Sequence, residues 1–316
     1  MTRTPVINIV GATATGKSDL AIALAQRLDG EIINSDAMQF YRGMDIGTAK
    51  LAPEDRGGIP HHLLDILDVT QEASVSAFQR EARELIADIR ARGKQPILVG
   101  GSGLYVRAAT DVMEFPGTDP ALRARLEAQI AEVGTQSMHA RLVRVDPAAA
   151  RRIGAGDARR IVRALEVVAL TGRTFSAQLP EYTYAMPTVQ IGLRIERAVL
   201  HERIAARVAA MFDAGWVGEV RTLLTQGLAQ GKTAGRAIGY RQIMELLAGT
   251  VSRAEAIEST VVRTRQFARR QETWFRRDPR IAWVDAQDTG LLEHALRLVA
   301  EAAGPGDGPD PEPTIR

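Results

Sequence analysis

The chain has 316 residues, 45% hydrophobic and 25% charged, an ordinary globular composition that can bury a substantial core. Forty Lys and Arg residues nearly balance 38 Asp and Glu residues, so the net charge of +2 does not by itself indicate a nucleic-acid-binding protein. Zero cysteines exclude disulfides, thiolate metal sites and zinc fingers, and suit a reducing compartment. No apolar run approaches the roughly 20 residues that span a bilayer, so we expect a cytoplasmic protein that does not contact membranes.

The first predicted element is an apolar strand, Val6–Val10, followed directly by a phosphate-loop pattern, Gly-x4-Gly-Lys-Ser. Helical periodicity follows the pattern, which makes a chance lysine in a Gly/Ala-rich turn the weaker alternative. The glycines let the loop curl so that its N–H groups and the next helix's positive end face one anion. Lys17 would reach terminal phosphate oxygens, and the Ser18 hydroxyl would ligate Mg²⁺. The predicted diphosphate- or nucleotide-binding residues are Gly11, Ala12, Thr13, Ala14, Thr15, Gly16, Lys17 and Ser18.

Strand-like runs and helical periodicity then alternate, which predicts an α/β fold with a parallel sheet. We predict further strands at Glu31–Ser35, Pro96–Gly101 and Val189–Ile195, and a helix at Val75–Arg92. The pattern is wholly helical between Asp119 and Gly172, and helices dominate from Leu200 onward. The predicted organisation is a P-loop core (1–114), an inserted α-helical domain (115–186), a mostly helical second part of the core (187–302) and a disordered tail rich in Pro and Gly (303–316).

In open parallel sheets, ligands bind at the carboxyl ends of the strands. The second predicted strand delivers Asp36, whose carboxylate could hold Mg²⁺ through water or accept a proton from a nucleophile. An Asx turn or helix cap at Asp36 is the structural alternative. The third predicted strand ends in Gly100-Gly101-Ser102-Gly103 and lacks the aspartate of many P-loop nucleotidases. This absence argues against a nucleotide-hydrolysing motor or switch.

Arginines cluster in two places where a polyanion could bind. Arg151, Arg152, Arg159, Arg160 and Arg163 lie in the predicted insertion. In the predicted helix Glu255–Arg277, Arg263, Arg270 and Arg277 recur every seven residues, beside Phe267 and Trp274. Guanidinium groups next to exposed aromatic rings can hold phosphates and stack on bases. Solvated helical faces, with the two aromatic side chains widening the core stripe, remain the alternative. These clusters make nucleic acid a candidate partner.

Several longer motifs resemble those of the bacterial tRNA dimethylallyltransferase family, also called tRNA isopentenyltransferases. The resemblance covers nearly the whole chain except the tail, and its motifs in this order are highly specific. They are Gly11–Ser18, Asn34–Lys50, Pro60–Leu63, Val99–Tyr105, Asp157–Glu166, Gly235–Gln242 and Thr264–Trp274. Departures from the family pattern are mild: Ala12 replaces a common proline, Thr15 a serine, and Ser18 and Ser102 threonines.

The resemblance implies transfer of a dimethylallyl group from dimethylallyl diphosphate to the exocyclic amine of the adenosine immediately 3′ of the tRNA anticodon. It implies Mg²⁺ at Ser18, Asp36 as the base, Ser102 as a residue that places the adenine, and Arg221 as a further diphosphate contact and catalytic residue. The target adenine must leave its stack, as in base-flipping enzymes. Together with Arg263 and Arg270 from the helix pattern, the expected tRNA-binding residues are Asp36, Ala37, Met38, Gln39, Ser102, Arg159, Arg160, Ile161, Val162, Arg163, Arg236, Ala237, Ile238, Gly239, Tyr240, Arg241 and Gln242.

Two other functions stay open at this point. A small-molecule or nucleotide kinase would use the insertion as its lid, but the missing aspartate at Gly100–Gly103 and the long arginine–aromatic helix argue against it. A non-catalytic nucleic-acid-binding ATPase relic is opposed by the intact Lys17, Ser18 and Asp36. We expect a monomer whose partners are dimethylallyl diphosphate and the anticodon stem-loop of tRNA.

Overall fold

The computed structural model describes residues 4–175 and 182–303. The chain divides into two compact units, one made of Met1–Thr110 and Tyr184–Arg316 and the other of Asp111–Thr183. The tail predicted to be disordered lies outside the described residues except for Ala303, which ends the last helix. Within the described ranges, no helix is both long and apolar enough to cross a bilayer.

The larger unit is built on a parallel sheet that has six strands within the described residues, in the order β3-β2-β4-β1-β5-β6. The central strand β1 pairs with β4 and β5, so Ile9 lies opposite Val99 on one side and Ile191 on the other. The predicted α/β fold with a parallel sheet is confirmed. The strands are β1 (Val6–Gly11), β2 (Gly30–Asn34), β3 (His61–His62), β4 (Gln95–Gly100), β5 (Thr188–Arg194) and β6 (Ile281–Asp285).

Helices cover both faces of this sheet, because successive side chains of a buried parallel strand point to opposite faces and both sets are apolar. One face packs Ile7 and Ile9 against α1 and α12, and the other packs Val6 and Val10 against α2 and α3. These helices are α1 (Lys17–Arg27), α2 (Val75–Ala91), α3 (Gly103–Thr110) and α12 (Leu291–Ala303).

A helical subdomain of the larger unit surrounds a third core around Trp216, which is 1% exposed and packs edge-on against Phe212 and Tyr240. The longest helix, α11, begins at Arg253 rather than at the predicted Glu255, because Ser252 and Glu255 form a capping box. It ends at Phe275, two residues before the predicted Arg277. The helices are α8 (Arg197–Asp213), α9 (Trp216–Thr225), α10 (Tyr240–Leu247) and α11 (Arg253–Phe275).

The smaller unit is helical, and two Asp-Pro pairs begin its helices as the sequence predicts. Asp119 accepts the N–H groups of Ala121 and Leu122 at 2.8 and 3.0 Å, and Asp146 accepts that of Ala149 at 2.9 Å. Its core includes Leu126, Leu142 and Leu165. The helices are α4 (Pro120–Val133), α5 (Thr135–Val145), α6 (Pro147–Arg152) and α7 (Ala158–Thr171).

Candidate active site

The phosphate loop joins β1 to α1, and two glycines with positive φ shape it. Gly11 has a φ of 143°, and a Cβ there would lie 2.6 Å from the carbonyl oxygen of Leu193 on β5. Gly16, with a φ of 88°, precedes the first residue of α1. Side chains at either position would be strained, so glycine is required for the curl that aims N–H groups at an anion. Within this loop, Ala12 and Thr15 are buried, and Thr15 donates to the carbonyl of Ala12 at 2.9 Å.

Lys17 is half-buried at the start of α1, and its ammonium donates to the carbonyl of Ala12 at 2.5 Å. Burial lowers the pKa of Lys17 from 10.5 to about 8. Attraction to Asp36 opposes this shift, and repulsion from Arg207 adds to it. An anionic ligand bound beside the ammonium would favour its charged form and raise this pKa again.

Asp36 follows β2 at the carboxyl edge of the sheet. Its Oδ1 accepts the N–H of Met38 at 3.0 Å, so the capping role weighed from the sequence is present. The same carboxyl group lines the pocket that contains Lys17, so the functional role and the capping role coexist. Burial raises the pKa of the Asp36 carboxyl above 3.8, against the opposing effects of the Met38 hydrogen bond and the charges of Lys17 and Arg207.

The phosphate loop and the end of β2 line one cavity of about 150 Å³. Its polar lining includes cations, carboxylates, hydroxyls and amides, and apolar side chains form another part of the wall. This combination suits an organic diphosphate, because cations and N–H groups can bind the phosphates while apolar side chains accept a hydrocarbon group. The polar residues include Lys17, Ser18, Asp19, Asp36 and Arg207, and the apolar ones Ile32, Leu51, Leu64 and Val99.

Arg207 on α8 is a candidate site residue that the sequence does not reveal. Its Nη1 donates to the hydroxyl of Thr13 in the phosphate loop at 3.4 Å. The residue as a whole is exposed, yet surrounding protein atoms lower the pKa of its guanidinium, against attraction to Asp19 and Asp36. The topology explains its position: β5 pairs with β1, so the helix after β5 passes beside the loop after β1.

Arg221, expected to contact the diphosphate, is exposed on α9 and does not belong to the lining of this cavity. Its neighbour Glu219 turns toward the protein instead. The Glu219 carboxylate accepts the N–H groups of Asp45, Ile46 and Gly47 at 3.0, 2.7 and 3.3 Å. It thereby fixes the turn whose next residues, 48 and 49, line the cavity. On α8, Arg207 donates to Thr13 of the phosphate loop.

The expected tRNA-binding segment at 36–39 forms a 3₁₀ turn beside the cavity. Ala37, Met38 and Gln39 are half-buried, and Gln39 lines the cavity while its amide donates to the carbonyls of Thr48 and Ala49 at 3.1 and 3.4 Å. Among these residues, the structure brings Asp36 and Gln39 to the cavity.

The segment 236–242 is mixed. Arg236 and Arg241 are exposed and Ile238 is half-buried, whereas Ala237, Gly239, Tyr240 and Gln242 are buried. Burial and the nearby Glu219 carboxylate raise the pKa of Tyr240, whose hydroxyl donates to Glu219 at 2.6 Å. The buried residues of this segment therefore pack inside the larger unit. Its two arginines are exposed, so they are the members that a ligand can reach.

In the smaller unit, the segment 159–163 divides in the same way. Arg159 and Arg160 are exposed, but Ile161 and Val162 are 0% and 4% exposed and belong to the core of this unit. Arg163 donates to the carboxylate of Glu166 at 2.8 Å and to the carbonyl of Pro116 at 2.6 Å. Burial alone would raise the pKa of Glu166, but the hydrogen bonds from Arg123 and Arg163 lower it.

On α11, Arg263 and Arg270 are exposed, and the Arg270 guanidinium lies 5.8 Å from the centre of the half-buried Phe267 ring. Trp274 is 42% exposed. The edge of its indole packs on Gly103, where a Cβ would come within 2.1 Å of the ring. Trp274 thus neither belongs to the core nor stands free. Ser102 is half-buried directly after Gly100 and Gly101, which line the cavity.

The chain matches the IPP transferase family model over residues 39–278. A tRNA dimethylallyltransferase of Pseudarthrobacter chlorophenolicus is 63% identical over 94% of this chain and 99% of that protein. One of Nocardioides is 58% identical over 94% and 96%. The chain belongs to the tRNA dimethylallyltransferase family. The resemblance inferred from the motifs is confirmed, and with it a prenyltransferase rather than a kinase or an ATPase relic.

Solved structures agree with this assignment. A tRNA isopentenylpyrophosphate transferase from Bacillus halodurans is 39% identical over 95% of this chain and 96% of that one, with a TM-score of 0.70. A eukaryotic dimethylallyltransferase that acts on tRNA is 30% identical and has a TM-score of 0.80 over 94% of this chain and 78% of its own. The chain therefore shares its fold with these two solved tRNA-modifying transferases.

Proposed function

We propose that this dimethylallyltransferase transfers a dimethylallyl group from dimethylallyl diphosphate to the exocyclic amine of the adenosine immediately 3′ of the tRNA anticodon. The observation that carries the proposal is the shared cavity, in which the charges of Lys17, Asp36 and Arg207 lie beside apolar side chains. Such a cavity can hold a diphosphate and a short hydrocarbon together. Family membership supplies the reaction type, and the residues supply the roles.

The leaving group develops negative charge. As the bond between the allylic carbon and the diphosphate oxygen breaks, its electron pair goes to that oxygen. Lys17, Arg207 and the N–H groups of the phosphate loop are arranged to stabilise this charge. Arg207 takes the diphosphate-binding role that the family resemblance suggested for Arg221, since it donates to Thr13 of the phosphate loop.

Asp36 is the proposed general base. The amine nitrogen of adenine forms the new bond to the allylic carbon and loses a proton, which the Asp36 carboxylate accepts. A carboxyl whose pKa is raised by burial is a better proton acceptor than an exposed aspartate. Ser102, which follows the two glycines at the cavity wall, is proposed to place the adenine.

Magnesium is the proposed cofactor. Among the described residues, no three His, Asp or Glu side chains are placed to hold a metal ion by themselves. The oxygen donors of Ser18 and Asp19 do line the cavity. This set fits Mg²⁺, which keeps several waters and binds through one or two protein oxygens together with phosphate oxygens. Bound there, the ion would neutralise charge on the diphosphate.

The proposed macromolecular partner is the anticodon stem-loop of tRNA, with the target base flipped out of its stack. Exposed arginines on each unit, including Arg159 and Arg160 on α7 and Arg263 and Arg270 on α11, are the proposed phosphate contacts. We further propose that the enzyme is a monomer and works in the cytoplasm. The absence of cysteine agrees with this compartment, because proteins of the reducing cytoplasm are not stabilised by disulfides.

The test is transfer of radiolabelled dimethylallyl diphosphate to an anticodon stem-loop, with a second stem-loop in which guanosine replaces the target adenosine. Label should enter only the first, and a parallel reaction should consume no ATP. Asp36→Asn keeps an oxygen for the Met38 N–H but removes the base, so it should lower the single-turnover rate about 10²–10⁴-fold. Because Asp36 is also an expected tRNA contact, the affinity for the stem-loop is measured separately and should change far less than the rate. Equal labelling of both stem-loops, or undiminished turnover in Asp36→Asn, would contradict the proposal.

A further inference from the structure

Gln271 on α11 joins two walls of the candidate active site. Its side-chain oxygen accepts the N–H of Thr13 in the phosphate loop at 2.9 Å. Its side-chain nitrogen donates to the carbonyl of Gly101, just after β4, at 3.0 Å. Thr13 and Gly101 both line the cavity, whereas Gln271 does not belong to its lining. One amide therefore ties the loop that would hold the diphosphate to the segment that leads into Ser102.

The fit around this amide leaves little freedom. Gln271 is 5% exposed, and a Cβ on Gly101 would lie 2.0 Å from its side-chain nitrogen. Because both ends of this buried amide form hydrogen bonds, its orientation is fixed. If the amide were turned over, its nitrogen would face the Thr13 N–H and its oxygen would face the Gly101 carbonyl, and both hydrogen bonds would be lost. The close approach requires glycine at 101. The pairing of β1 with β4 brings the two segments together, and the Gln271 amide links them beyond the point where that pairing ends.

The same helix reaches the exposed surface. Trp274, three residues after Gln271 and on the same side of α11, packs on Gly103. Arg270, directly before Gln271, is exposed and proposed to hold a tRNA phosphate. Helix α11 therefore carries Gln271, which is bonded to the phosphate loop, directly after Arg270, a proposed tRNA contact.

We propose that Gln271 is a positioning residue that sets the distance between the departing diphosphate and the adenine amine. The inference rests on the proposed function, because it takes the phosphate loop as the diphosphate site and Ser102 as an adenine contact. Gln271 touches neither substrate and acts through Thr13 and Gly101. Reacting groups must approach within about 3–3.5 Å in the right orientation, and a displacement of 1 Å can lower the rate about 10²-fold.

The test separates rate from affinity. Gln271→Met keeps the shape of the side chain but removes both hydrogen bonds. We expect its single-turnover transfer rate, with both substrates saturating, to fall about 10–100-fold. We expect the separately measured dissociation constants for dimethylallyl diphosphate and for the anticodon stem-loop to stay within about three-fold of the wild type. Gln271→Asn, which retains the amide on a shorter side chain, should show the same split and serves if the Met variant does not fold.

Gln190 on β5 provides a matched control. It is 3% exposed, and its amide donates to Tyr184 and Asp278 at 2.9 and 3.0 Å, away from the cavity. Gln190→Met should lower thermal stability as Gln271→Met does but leave the transfer rate unchanged. A Gln271→Met rate within about three-fold of the wild type, or an equal fall in Gln190→Met, would overturn the inference. Absence of transfer by the wild type itself would instead contradict the proposed function.

Discussion

The pKa of Lys17 makes a quantitative prediction about ligand binding. Burial lowers this pKa to about 8 in the free protein. Because an anionic diphosphate favours the ammonium form, the pKa rises in the complex. Affinity for dimethylallyl diphosphate should therefore be retained below about pH 8 and lost as the pH rises above it. If binding requires the ammonium, affinity at about pH 9.5 should be about thirty-fold weaker than at about pH 7.

Calorimetric titrations at fixed magnesium concentration would measure this effect. The ligand contributes little, because the second ionisation of a phosphate has a pKa near about 6. Lys17→Arg is the matched control: its guanidinium stays charged throughout, so its affinity should not vary with pH. Asp36→Asn removes the attraction that raises the Lys17 pKa and should move the midpoint to lower pH. A pH profile in Lys17→Arg identical to that of the wild type would refute the role of Lys17.

Two further predictions concern packing and tRNA contact. Gly239→Ala would place a Cβ 1.8 Å from the buried Trp216 at a φ of 87°, so urea unfolding should show a loss of about 2–5 kcal/mol, whereas Gly103→Ala meets the half-exposed Trp274 and should cost less than about 1 kcal/mol. Equal losses would show that burial does not decide the cost. Replacing Arg159 and Arg160 by alanine should lower the log–log salt slope of stem-loop binding by about 0.7–0.9 per lost phosphate contact, while Arg163→Ala should reduce the stability of the helical unit without changing that slope. The reverse pattern would show that Arg159 and Arg160 are solvated side chains that do not contact tRNA phosphates.

The sequence predicts the strands whose side chains are uniformly apolar. The four predicted strands all lie in the sheet, and none of their ends differs from the prediction by more than one residue. The two strands that were not predicted lie at the sheet's edges. Strand β3 has two residues, both histidine, and β6 is only partly buried, with Trp283 half-exposed. Neither gives the periodic signal that burial on both faces would produce.

The candidate site was predictable where chemistry follows directly from a strand. Lys17 and Asp36 come within a few residues of β1 and β2, so the parallel sheet alone brings them to one edge. Arg207 was not predictable, because its proximity to Thr13 depends on β5 lying beside β1 and on the rotation of α8. Gln271 was not predictable for a related reason, since it meets Thr13 across 258 residues of chain.

The glycines after β4 explain how Asp36 comes to face the phosphate loop. Strand β4 lies between β2 and β1 in the sheet, so the end of β4 separates Asp36 from Lys17. A Cβ at Gly100 would lie 2.3 Å from the Ser35 hydroxyl and 3.0 Å from the Asp36 nitrogen. No side chain fits there, which excludes the aspartate that many P-loop nucleotidases place at this strand end to hold their metal.

Since Gly100 has no side chain to stand between them, Lys17 and Asp36 interact across the end of β4. Each charge shifts the pKa of the other group. Unlike many P-loop nucleotidases, the site therefore has no metal-binding carboxylate at the end of β4 beside the phosphate loop. It has instead the Asp36 carboxylate, one strand farther away, and the strand end between them carries Gly100 and Gly101, which line the same cavity. A substrate amine entering the cavity at this strand end would lie between the phosphate loop and Asp36, as the proposed transfer to a nucleophile requires.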